Sequence, residues 1–133
     1  MSALLRFRLW LGLAGLSGAM AVAMDALARH HFDAGAEAHA VELIRIATKY
    51  QGLHALALLT VALLADRAAD GWTGRAVAFS GWAFVTGILL FCGTLYALAF
   101  GCPLAQPALT PFGGGAFIAG WLALLAAAAT WKR

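Results

Sequence analysis

The sequence predicts an all-α membrane protein: a four-span transmembrane helical bundle, with a short amphipathic surface helix between spans one and two. Three observations predict it. Of the 133 residues, 63% are apolar and only 11% are charged. A soluble domain averages about half apolar and a quarter charged, so a water-soluble fold of this size could not hide so much apolar surface. The charges are segregated, at Arg6 and Arg8, from Asp25 to Lys49, from Asp66 to Arg75, and at Lys132 and Arg133. The stretches between them approach or exceed the roughly 20 helical residues that cross a bilayer core. No stretch shows the alternation of a membrane β-strand. The length fits a single domain over residues 1–133.

Span one is expected from about Leu9 to Ala28. Its basic start and the "ALA" at 26–28 also resemble a signal peptide, but the apolar stretch is long for one. In "DAGAEAHAVELIRIATKYQ" Asp33 is the expected helix N-cap. There Val41, Ile44, Ala47 and Thr48 recur at helical steps, with Glu42, Arg45 and Lys49 elsewhere on the wheel. This stretch reads as the surface helix, running into span two from about Ala47 to Ala65. Asp70-Gly71 marks a tight turn. Span three follows from about Ala76 to Phe100, and span four from about Leu109 to Trp131.

Basic residues set the expected direction. Arg6, Arg8, Arg67, Arg75, Lys132 and Arg133 fall on one side of the membrane and Arg29, Arg45 and Lys49 on the other, six against three. By the positive-inside rule both termini are cytoplasmic, with Trp10, Trp72 and Trp131 near the inner interface. The net charge is only +3 and its basic residues are dispersed. Nucleic acid is therefore not an expected partner. Cys92 and Cys102 lie too far apart along one helix to bridge.

Between helices in lipid, small residues supply close contact. Gly12, Gly15 and Gly18 are expected to form one groove on span one. Gly93, Ala97 and Gly101 on span three, and Gly113 to Gly115 with Ala116 and Gly120 on span four, read as further packing surfaces.

The chain resembles the small inner-membrane proteins of the YgdD/YwdK type, the family catalogued as domain of unknown function 423. The stretches "GLSGAMAVAMDALARHHF", "YQGLHALALL", "GILLFCGTLYALA" and "LTPFGGGAFIAGW" carry the resemblance, in order along most of the chain. It implies a multi-pass protein of the bacterial inner membrane and leaves the biochemical role open. The chain departs from the family pattern at Asp25, where members usually carry histidine, and at Arg45, where they carry an acid. The two exchanges have opposite sense and suggest a contact. Asp25 can also pair with Arg29 one helical turn on.

Threading the topology gathers polar residues in the outer half of the bundle. The expected cluster is His30, Tyr50, Gln51, His54, Thr94, Tyr96 and Thr110, with His31 and Asp25 nearby. The inner half holds isolated hydroxyls such as Thr60 and Ser80. Three roles compete for the cluster. The first is to cross-link helices, with His54 neutral and bonded to a threonine, a tyrosine or a carbonyl near Pro111. The second is to hold a small ligand or ion. The third is metal or haem ligation by His30 and His54, which no spacing motif supports. No catalytic motif, metal site or cofactor site is recognised. Two functions follow: an accessory or interaction subunit of a membrane complex, which is favoured, or a binding or transport protein using the outer pocket. The expected partners are the lipid bilayer and other membrane subunits or a second copy.

Overall fold

The structure, a computed structural model, describes residues 2–32, 35, 37–68 and 71–131. Among these residues it is all helical. Helix α1 spans Ala3–His31, α2 Ala38–Arg67, α3 Trp72–Gly87, α4 Gly93–Ala99 and α5 Leu109–Ala129. A π-helical turn, Ile88–Cys92, joins α3 to α4, so the two form one rod.

Three rods are long and apolar enough to cross a membrane: α1, the α3–α4 rod and α5. Helix α2 has the length but not the uniform apolarity. Tyr50, Gln51 and His54 interrupt its apolar run, and charges crowd its ends. It is nonetheless the central helix. Ile44, Gln51, His54, Leu58, Val61 and Ala62 are all buried, along one broad face of it.

The stretch expected as a separate surface helix is the first part of α2. Nothing in residues 38–49 breaks the helix, and the buried Ile44, Ala47 and Thr48 carry its packed face straight into Gln51. Asp33, the expected cap, and Asp70 lie outside the described residues.

Helix α1 opens with a Ser2 cap, whose hydroxyl accepts the Leu5 N–H at 3.3 Å. Its buried stripe is Trp10, Ala14, Ser17, Ala21 and Ala28, at steps of three, four and seven. Most of this stripe lies along α2, and Trp10 at its start packs on α3. Trp10 is a core residue at 2% exposure. A Cβ on Gly81 would sit 2.6 Å from its indole, so glycine there makes room for the ring.

Helices α3 and α5 interlock reciprocally. Phe84 of α3 sits where Gly120 of α5 lacks a side chain, and Phe117 of α5 sits against Gly87 of α3. Gly113 lets α5 meet the backbone of Phe91 in the π-helical turn. At the other end Thr73 Oγ1 donates to the Thr130 carbonyl at 3.2 Å.

Several glycines do not act as their spacing suggests. Gly12 and Gly15 face open space, and only Gly18 meets α2, at Ala55. Gly93 is exposed. Gly101 ends the α3–α4 rod in place of packing: its φ of 65° is left-handed. Cys102 N–H bonds the Ala97 carbonyl at 2.9 Å and Gly101 N–H the Leu98 carbonyl at 3.1 Å. This is the Schellman ending that glycine adopts without steric cost. Cys92 is buried, Cys102 is exposed, and both are free.

Candidate functional site

The polar residues of α2 divide between two sets of partners. Gln51 faces α1 and α4. Its Nε2 donates to the Ser17 carbonyl at 3.2 Å, and its Oε1 accepts the Tyr96 hydroxyl at 2.6 Å. One buried amide thus ties three helices together. His54, one turn on, faces α5. Its Nδ1 lies 2.7 Å from the Tyr50 carbonyl, and its Nε2 lies 3.2 Å from the Trp121 indole nitrogen.

These contacts determine the protonation of His54. The carbonyl can only accept, so Nδ1 carries the hydrogen. The indole can only donate, so Nε2 is the acceptor. The ring is neutral and both nitrogens are engaged. Phe117 stacks on it with centroids 3.6 Å apart and planes 9° off parallel, and Phe84 lies against it at 5.3 Å. Tyr50 stacks parallel to the same ring at 6.4 Å and meets Phe91 at 4.9 Å. With 2% of its surface exposed, His54 is packed among rings, and no lone pair is left for a ligand.

The expected cluster is therefore gathered in part. Tyr50, Gln51, His54 and Tyr96 are brought together, as two linked pairs. His54 uses neither a threonine nor a carbonyl near Pro111. Thr94 is buried on α4, and Thr110 is half-buried in the first turn of α5. His30 is exposed in the last turn of α1. Among the described residues no side-chain hydrogen bond joins these three to the network. Nor does any group of three His, Cys, Asp or Glu among them stand ready to hold a metal ion. Ser17, Trp121 and Phe117 belong to the network though the expected cluster omits them; they lie in the stretches "GLSGAMAVAMDALARHHF" and "LTPFGGGAFIAGW", and Phe117 and Trp121 are one helical step of four apart on α5.

A second feature is an open groove of about 740 Å³ between α1 and α2. Small residues form much of its lining: Ala14, Gly15, Gly18 and Ala21 from α1, Gly52 and Ala55 from α2. Asp25, Arg45 and Lys49 line it towards one end. Asp25 and Arg45 thus border one groove, but each pairs along its own helix. Asp25 accepts from Arg29 at 2.9 Å, and Arg45 lies 3.7 Å from Glu42. Both pairs are exposed and add little stability.

Comparison with known proteins assigns the chain to a family. The family described as "Protein of unknown function (DUF423)" matches residues 24–114. A UPF0382 membrane protein of Haemophilus influenzae is 42% identical over 115 residues, 86% of this chain and 89% of its own. The UPF0382 membrane protein YwdK of Bacillus subtilis is 32% identical, covering 87% of this chain and 92% of its own. The UPF0382 inner membrane protein YgdD of Escherichia coli is 32% identical over 95% of this chain and 93% of its own. No solved structure matches.

Proposed function

The chain belongs to the DUF423 family of membrane proteins, and we propose that it serves as an accessory subunit, docking one membrane-spanning helix of a partner protein along the α1–α2 groove. In this reading α2 is a fourth crossing, both termini are cytoplasmic, and the bundle sits in the bacterial inner membrane. It carries out no chemistry of its own and does not bind nucleic acid.

The observation that carries the proposal is the groove's lining. Helices in lipid associate where small side chains let backbones approach. Gly15, in that lining, has no neighbour that a side chain would meet. The same stretch of α2 keeps a glycine at 52, also open. The groove is long enough to accept a helix, and the charges of Asp25, Arg45 and Lys49 can fix its register at one end. His54 and Tyr96, by contrast, have their polar atoms engaged within the protein.

The test is gentle extraction from native membranes, comparing the wild type with a Gly15→Leu/Gly52→Leu variant that fills the groove. One membrane protein should co-purify with the wild type, recover this chain when tagged itself, and be lost from the variant. Equal recovery with both, or lipid alone with both, contradicts the proposal.

A further inference from the structure

The polar side chains lining the α1–α2 groove are Asp25, Arg45, Thr48 and Lys49. All but the last have partners. Asp25 accepts from Arg29, and Arg45 lies against Glu42. The Thr48 hydroxyl donates to the Arg45 carbonyl at 3.2 Å. Lys49 is exposed, and its ammonium has no ion pair or hydrogen bond among the described residues. The two ion pairs cancel, so this end of the groove is left with the positive charge of Lys49.

That charge becomes costly once the groove is filled. Arg45, Lys49, Gly52, Leu56 and Leu59 follow one another at steps of four and three, and all five line the groove. A side chain at Gly52 would meet nothing, so another helix can approach most closely there, one turn from Lys49. Lys49 is also separated from Arg67, at the far end of α2, by about 27 Å of helix rise. A hydrocarbon core is about 30 Å thick. A helix seated on Gly52 therefore covers the ammonium at the edge of the hydrocarbon and takes water from it. Charges in that position pair with an opposite charge. Among the described residues the carboxylates of Asp25 and Glu42 already face arginines. A lipid phosphate has a suitable charge, but a lining rich in glycine and alanine favours the close approach of a helix backbone.

We infer that the partner helix bears an Asp or Glu that pairs with Lys49, about two helical turns from the residue it packs on Leu56. Lys49 is then the specificity-determining residue of the groove. A helix of the same shape without the acid leaves the ammonium covered and unpaired. This rests on the docking of a partner helix in the groove and names the chemistry by which that helix is chosen.

The test places a benzophenone side chain at Leu56, which lines the groove and is 65% exposed, in the full chain in native membranes. The protein adduct is quantified and its segment identified by mass spectrometry. The segment should carry an Asp or Glu about seven residues from the crosslinked position. Lys49→Arg, which keeps the charge, should retain most of the adduct. Lys49→Glu should lower it at least about tenfold, as a desolvated charge deprived of its partner does. Exchanging the partner's acid for lysine should then restore it. Arg67→Gln, a charge lost at the far end of α2, should leave the yield unchanged. The inference is overturned, with docking intact, by a protein adduct whose segment has no acid at that distance, by equal yield with Lys49→Glu, or by equal losses with Lys49→Glu and Arg67→Gln. Adducts with lipid alone in the wild type overturn both.

Discussion

The indole of Trp121 donates to Nε2 of His54 across the α2–α5 interface, at 3.2 Å. That bond turns a titratable side chain into a neutral cross-link, because the other ring nitrogen is already engaged by the Tyr50 carbonyl. His54→Leu and Trp121→Phe should each destabilise the bundle by about 1 kcal/mol. The double variant should reveal a coupling of roughly 0.6 to 1.7 kcal/mol, the range for hydrogen bonds between membrane helices. Unfolding in mixed micelles measures it. Strict additivity would mean that the two side chains do not interact.

Gln51 joins α1 and α4 through one amide. Gln51→Leu leaves the buried Tyr96 hydroxyl without its acceptor, at a cost of about 1–3 kcal/mol. Adding Tyr96→Phe removes the orphaned hydroxyl, so the double variant should be no less stable than Gln51→Leu alone. A further loss equal to that of Tyr96→Phe in the wild-type background would contradict the contact.

Glycines of similar spacing should behave differently. Gly113→Ala drives a Cβ into the Phe91 backbone and should cost about 1–3 kcal/mol, as overpacking does. Gly12→Ala meets nothing and should be neutral, or stabilising by up to about 1 kcal/mol through reduced chain freedom. Equal effects at both sites would show that the contact of α5 with the π-helical turn is misplaced.

These contrasts mark where the sequence could be read. The apolar rods were legible because lipid forces backbone bonds inward and leaves charges only at the ends. Asp25–Arg29 followed from helical spacing alone. Tyr50, Gln51 and His54 were conspicuous because polar groups are costly at that depth. Their partners were not, since choosing Trp121 over a threonine depends on how α5 is rotated about its axis. Helix α5 is apolar on every side, so its pattern offers no face to orient. The π-helical turn was equally silent: "ILLFC" contains no residue that breaks a helix. Glycine spacing named candidate contacts, but the opposing rings of Phe84, Phe117 and Trp10 and the Phe91 backbone decide which glycines are filled.

Direction across the membrane is open to a simple check. Cys102 is exposed in the turn after the α3–α4 rod, and Cys92 is buried. An impermeant maleimide should modify Cys102 in intact spheroplasts. A cysteine replacing the exposed Trp72 should react only after lysis, as cytoplasmic termini require. The reverse order would place the termini outside.

The most direct measurement for the docking role is site-specific photocrosslinking in native membranes. A benzophenone side chain replaces Gly52 in the groove or, as control, the exposed Leu122 on α5. From position 52 the expected product is one discrete adduct with a single membrane protein, absent from position 122 and lost when Gly15→Leu fills the groove. Adducts with lipid alone, or the same products from both positions, would contradict a partner helix in the α1–α2 groove.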